Sequence, residues 1–141
     1  MRRLALLAAL AILALAPGMA LAGQVLARID LSEQSMIVKL DGETLYSWPV
    51  STARKGKFTP VGTFGVQSMV RDHRSTLYHN APMPWSIFFR GNFAIHGTTQ
   101  ISQLGTPASA GCVRLHPDNA RTLYNLVLSN GRANTVIQIV P

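Results

Sequence analysis

From Val25 onward the chain alternates apolar and polar residues with a period of two. Val25, Ala27, Ile29 and Leu31 fall on one parity, followed by Met36, Val38 and Leu40. That is the period of a strand with one face on a core. It predicts strands over Val25–Leu31 and Ser35–Leu40, with Ser32-Glu33-Gln34 as the turn between them. Asp41-Gly42 is a hairpin signal leading into a third strand, Glu43–Val50. Ser51–Pro60 reads as a loop, and Gly62–Val70 as one further strand. Arg71–Pro84 is irregular only at its end, where Pro82 and Pro84 flank Met83; an apolar run, Trp85–Phe89, follows. Phe93-Ala94-Ile95 reads as a short buried strand that delivers His96. The period changes only at Pro117–Asn130, where Leu123, Leu126 and Val127 recur at helical spacing. Pro117 suits a first helical turn, Asp118 complements its dipole, and Asn130-Gly131 ends it. Thr135–Val140 is a final strand. No repeat, low-complexity tract or linker interrupts the pattern, so residues 23–141 read as one mainly β domain with a single principal helix.

Residues 1–22 follow other rules. Arg2 and Arg3 precede an unbroken apolar run, Leu4–Ala16. Pro17-Gly18 breaks the run, and Ala20-Leu21-Ala22 has the small-x-small form of a cleavage site. The run is short for a bilayer span, which needs roughly 20 residues. The segment reads as a cleaved signal peptide, so contact with a membrane is transient and the mature protein is exported, in the first instance to a periplasm. No cysteine near the cleavage site could take a lipid.

Beyond residue 22 the chain has 11 basic and 6 acidic residues. Such an excess could serve nucleic acid, anionic lipid or an anionic polymer. The basic residues are scattered, however, and only Arg54-Lys55-Gly56-Lys57 is a cluster. No helix carries a basic stripe, and no aromatics interleave with the cluster as stacking platforms. Nucleic-acid binding is therefore not expected. The cluster reads equally as a solvated loop or as an anionic contact surface.

Candidate chemistry centres on Cys112, the sole cysteine. Exported proteins ordinarily use cysteines in disulfide pairs. A lone thiol there is a small buried hydrophobe, an intermolecular link or a nucleophile. Its setting, Ser109-Ala110-Gly111-Cys112-Val113-Arg114 after His96-Gly97-Thr98, favours the nucleophile. Cysteine attacks as the thiolate, and an imidazole can generate it. Gly111 permits a tight bend that turns amide N–H groups toward a developing oxyanion. Arg114 has the planar fork that suits a carboxylate. His73, His79, His96, His116 and Cys112 lack the close paired spacing of a zinc site, and no serine sits in a Gly-x-Ser-x-Gly elbow. No metal and no cofactor are expected.

His96-Gly97-Thr98, Gly105 and Ser109-Ala110-Gly111-Cys112-Val113-Arg114-Leu115 together resemble the active-site signature of the L,D-transpeptidase catalytic domain (YkuD type). Thr59-Pro60-Val61-Gly62-Thr63-Phe64 is similar to that family's upstream segment, and Val50-Ser51-Thr52 and Met83-Pro84-Trp85 sit where it has related ones. The motifs occur in order across the whole of residues 23–141. The resemblance implies a mixed β-sheet or sandwich fold, with the Cys112 loop lining a groove. It implies that Cys112 attacks the carbonyl after the third residue of a peptidoglycan tetrapeptide stem, the donor. Terminal D-alanine leaves, and a thioester forms. An amine on a second stem, usually diaminopimelate, then makes a 3-3 cross-link. His96 would be the base, oriented by the carbonyl of Gly97. Ser109 and Arg114 would shape the site and bind substrate, and amides around Gly111 and Cys112 would form the oxyanion hole.

Other acceptors share the acyl-enzyme step: a wall-anchored protein, or water in an L,D-carboxypeptidase. A wall-binding module without turnover and a purely structural exported domain are the alternatives outside enzymes, and both leave the Cys112–His96 pairing unexplained. Many family members carry Ser-His-Gly-Cys, and here Ala110 replaces that second histidine. His79 and His116 are the weak candidates to stand in for it. Tyr78 and His79 read as a flap over the groove or as an ordinary surface loop. Pro60 and Gly62 read as turn formers, and Trp85, Phe88 and Phe89 as core or groove wall. No separate wall-binding domain is expected.

Overall fold

The computed structural model describes residues 23–141, so the expected signal peptide lies outside the described residues. The period-two segment forms β1 (Val25–Asp30), β2 (Ser35–Leu40) and β3 (Glu43–Pro49). They are antiparallel neighbours, joined by the expected turns after Asp30 and at Asp41-Gly42. Strand β9 (Thr135–Val140) returns to lie parallel to β1. Strand β4 (Gly62–Phe64) closes this sheet, whose order is β3-β2-β1-β9-β4. A second sheet, in the order β5-β6-β7-β8, is built from β5 (Ser68–Arg74), β6 (Pro82–Arg90), β7 (Phe93–Gly97) and β8 (Val113–Leu115). Both sheets are mixed, because β1 runs parallel to β9 and β7 parallel to β8.

Alternation decides what is buried. Val25, Ala27 and Ile29 of β1, Met36 and Val38 of β2, and Ile137 and Ile139 of β9 point inward. Ile87, Phe89, Ile95, Val113 and Leu115 come from the second sheet. The helix α1 (Pro117–Asn130) packs on β6 and β7 and adds Ala120, Leu123, Tyr124 and Val127. Each fully buried aliphatic side chain is worth roughly 1.5–3 kcal/mol. Pro117 takes the first helical position, and His116 is the N-cap, its Nδ1 accepting from the Asp118 amide at 3.1 Å. Gly131, at φ 96°, ends the helix by donating its N–H to Val127.

Two expectations are corrected. Gly62–Val70 is two strands, β4 and β5, which belong to different sheets. The chain changes sheets through residues 65–67, where the Gln67 amide donates to Phe88 and its side chain accepts from the Gly91 amide. A period of two continues across such a change, so alternation alone does not reveal it. The proline-bearing end of Arg71–Pro84 is paired strand, Asp72 with Pro84 and Arg74 with Pro82, and residues 75–81 make the turn between. Those prolines are tolerated because β7 pairs with β6 only from Ile87 onward. Residues two apart direct their N–H positions to the same side, here the side β7 does not reach.

One buried side chain links the first sheet to the segment that carries the site. Gln34, at φ 48° in the turn after β1, is only 6% exposed. Its amide nitrogen donates to the Leu31 carbonyl and the Thr52 hydroxyl, its amide oxygen accepts from the Thr52 N–H at 2.9 Å, and its backbone carbonyl accepts from Val50. Replacing Gln34 by leucine, close in size, would leave the Thr52 N–H buried without a partner. We expect Gln34→Leu to lower the unfolding free energy by about 1–3 kcal/mol, read by urea denaturation. A loss below 0.5 kcal/mol would show the amide to be dispensable.

Candidate active site

The site is built on the parallel pair β7 and β8. Ile95 pairs with Val113, His96 with Arg114 and Gly97 with Leu115. Ile95, Val113 and Leu115 turn into the core. The opposite parity therefore carries His96 and Arg114 on the other face, and Cys112, two residues before Arg114, follows it there. Cys112 thus stands just before the ladder, diagonal to His96 across one strand spacing. Both line a cavity of about 420 Å³ together with Arg114, Arg54, Tyr78 and Met83.

The ring of His96 is buried and its Nδ1 lies 2.7 Å from the carbonyl oxygen of Gly97. A carbonyl only accepts, so Nδ1 carries the proton and Nε2 keeps its lone pair. Gly97 is fixed by close approach: a Cβ there would stand 3.1 Å from backbone of Pro117 and 3.1 Å from Pro84. Burial holds the imidazole far below its usual range, at about 4; the Gly97 hydrogen bond opposes this, and the charges of Arg114 and His73 add to it. Burial pushes the Cys112 thiol up, against a backbone hydrogen bond at Ala94 and the positive charge of Arg114. The pair therefore rests as neutral thiol and neutral imidazole. The thiol reaches the Asn92 carbonyl at 3.6 Å.

The loop before Cys112 is closed on itself. Ser109 is 1% exposed; its hydroxyl donates to the Cys112 carbonyl at 2.6 Å and accepts from the Gly111 amide at 3.0 Å. Ser109 thus shapes the site with a hydroxyl already spent, and the Gly111 amide expected to face an oxyanion is spent with it. Gly111 sits at φ 141°, and a Cβ on it would fall 2.6 Å from Phe93 and 2.8 Å from the Phe58 carbonyl. No other residue fits. The Thr59 hydroxyl donates to the Gly111 carbonyl at 2.9 Å and accepts from the Ala53 amide at 3.0 Å. Arg114 is oriented by two neutral acceptors, Gln100 and Gln103, each at 3.2 Å.

Comparisons with known proteins identify the family and the fold. The sequence model of the YkuD family, the L,D-transpeptidase catalytic domain, matches residues 24–139. The chain belongs to the L,D-transpeptidase catalytic domain family. It is 21% identical over 108 residues to YkuD of Bacillus subtilis (strain 168), covering 77% of this chain and 63% of that protein. Its fold is that of an L,D-transpeptidase from Mycobacterium smegmatis, with TM-score 0.76 and 24% identity over 84% of this chain and 59% of that one. It is also that of L,D-transpeptidase 3 from Mycobacterium tuberculosis, solved with a faropenem-derived adduct, at TM-score 0.74 and 17% identity over 84% of this chain and 61% of that one. The chain spans about three fifths of the length of these relatives.

Within this L,D-transpeptidase domain the other candidates separate. His116 caps α1 and His79 does not line the cavity, so neither replaces the histidine absent at Ala110. Tyr78 does line it, from the turn between β5 and β6. Phe89 is core, Trp85 packs on Tyr124 and Phe88 on His73; the wall that β6 contributes is Pro82 and Met83. Pro60 is buried just before β4, and Gly62 opens that strand at φ 146°. Sequence reasoning missed Gln100 and Gln103, which no motif marks. It saw Thr59 only as part of a motif; its position next to a proline and its distance from the loop hid the tether.

The buried neutral imidazole makes stability depend on pH. Unfolded, His96 takes up a proton near 6.5; folded, it does so only near 4. Its contribution is therefore complete above pH 6.5 and is lost as the pH falls toward 4, by about 3 kcal/mol. We expect chemical denaturation at pH 7, 5.5 and 4 to show that loss, and His96→Gln to remove most of it. Equal slopes in the two proteins would mean that the ring is not buried neutral.

Proposed function

We propose that this domain is a periplasmic L,D-transpeptidase that forms 3-3 cross-links in peptidoglycan through a thioester on Cys112. The observation that carries the reading is that Cys112 lines one cavity with a histidine whose Nδ1 is pinned to the Gly97 carbonyl. As Cys112 Sγ bonds to the carbonyl carbon after the third stem residue, its proton passes to His96 Nε2. The bond to the terminal D-alanine then breaks, and that amine leaves with the proton from His96. The amine of a second stem attacks the thioester carbonyl and gives its proton to His96. Cys112 departs as thiolate and recovers a proton from the same ring, so the cycle closes without a cofactor. With the Gly111 amide bound to Ser109, the Cys112 amide is the donor left for the oxyanion. Arg114 holds a donor carboxylate. Because thiol and imidazole both rest neutral, the proton transfer is still to be made when the donor binds.

The test is mass spectrometry of residues 23–141 incubated with purified disaccharide-tetrapeptide. Dimeric muropeptides that vanish in Cys112→Ala are expected. Tripeptide alone would assign water or an absent wall-anchored protein as acceptor. An unchanged substrate with no adduct on Cys112 would overturn the reading in favour of a wall-binding module.

A second expectation concerns the base. His96→Ala should cost at least about 100-fold in turnover. In the native protein kcat/KM should hold down to pH 5 and fall only near 4, where His96 protonates. An acid limb near 6.5 would place the base on an ordinary, exposed imidazole.

A further inference from the structure

The basic cluster after β3 has one member inside the site. Arg54 lines the same cavity as Cys112 and Arg114, whereas Lys55 and Lys57 do not. The backbone holds it there. Ser51 pairs with Arg114 in both directions, N–H to carbonyl at 3.0 Å and carbonyl to N–H at 2.8 Å. Three residues on, the Arg54 amide donates to the Ser109 carbonyl at 2.9 Å. The segment from Ser51 to Arg54 is thus stitched along β8 and the cysteine loop at its two ends, and Arg54 lines the cavity near enough to Arg114 for its charge to act on that guanidinium.

The charge balance of that cavity is one-sided. The acids of the chain are Asp30, Glu33, Asp41, Glu43, Asp72 and Asp118, and none lines the cavity. Among the described residues neither arginine has an acidic partner. Arg114 is held by two glutamine oxygens, which orient its guanidinium and leave its charge uncompensated. Arg54 is exposed and keeps its donors for a ligand. The β5–β6 segment lines the cavity with Leu77, Ala81, Pro82 and Met83 together with Ser75 and Tyr78, and brings no charge. Two uncompensated guanidiniums lining one cavity suit two anionic groups on one ligand, and a guanidinium fork matches a carboxylate.

We propose that Arg54 is a specificity-determining residue of this site: with Arg114 it holds two carboxylates of one acyl donor, so the enzyme favours a stem whose third residue carries a free side-chain carboxylate over the same stem amidated there. The terminal carboxylate and that of the third residue flank the carbonyl to be attacked, so two cations beside Cys112 fix the donor's direction as well as its charge. A third residue ending only in an amine meets two like charges and is disfavoured. The inference rests on the transpeptidase reading above and deepens it.

Binding separates the two. Calorimetry would use Cys112→Ala protein, which cannot turn over, with a tetrapeptide ending in D-alanine whose third residue is diaminopimelate, free or amidated. We expect the free form to bind roughly tenfold tighter, as for one charge-assisted contact. Adding Arg54→Gln should remove most of that preference by weakening the free form alone, and raised salt should reduce it. Lys55→Gln, a neighbouring cation outside the cavity, should keep it. A preference that survives Arg54→Gln, an equal loss for both peptides, or no binding of either would overturn the inference. Preferential binding without turnover of either peptide by the native protein would instead sink the transpeptidase reading and leave Arg54 as a recognition residue.

Discussion

The short parallel ladder between β7 and β8 is the constraint on which the site depends. It is only three residues long on each strand, yet its register fixes which residues look into the core and which into the cavity. Parallel strands cannot be joined by a tight turn; the connection must cross back over the sheet and takes a dozen or more residues. Residues 98–112 are that connection, and they contain one 3₁₀ turn, Ile101–Gln103, in place of a crossover helix. The interval between His96 and Cys112 is thus the length of chain such a return requires. The same return places Gln103 against Arg114 and leaves the thiol at the point where the loop rejoins the sheet.

Burial then sets the electrostatics. His96 and Cys112 sit where charge is costly, and each is pushed toward its neutral form. Arg114 reinforces this at His96, where a positive neighbour disfavours imidazolium, and opposes it at Cys112, where it favours thiolate. A resting ion pair would need the desolvation cost of both charges to be recovered locally. The fold instead supplies an uncharged pair with a fixed tautomer, and the Gly97 backbone whose carbonyl fixes it is packed closely between Pro84 and Pro117, where an added Cβ would stand 3.1 Å from each.

Much of this was legible in the sequence, for particular reasons. The strands β1, β2, β3 and β9 were legible because a half-buried strand must alternate, and α1 because Pro117 and Gly131 mark its ends. Cys112, His96, Arg114 and Gly97 were legible as one constellation because the residues around them form ordered motifs. The break between β4 and β5 was not, since alternation carries no label for the sheet it belongs to. Nor were the Ser109 hydroxyl and the Gly111 amide, each of which can face a substrate or the other; only the folded loop shows that they face each other. Arg54 was visible only as one charge in a cluster, because nothing local distinguishes it from Lys55 before the chain is laid along the cysteine loop.

The pairing of Ser51 with Arg114 has a consequence for how any peptide can approach. Strand β8 is the last of its sheet, and a terminal strand ordinarily offers unpaired amides and carbonyls on which an extended chain can continue the ladder. At Arg114 both groups are already taken by Ser51. A visiting peptide therefore cannot join the sheet there as one more strand, and must lie across the side chains that stand out from it. Its affinity then comes from those side chains and the loops that bear them, so recognition can drift by substitution while the ladder beneath stays untouched.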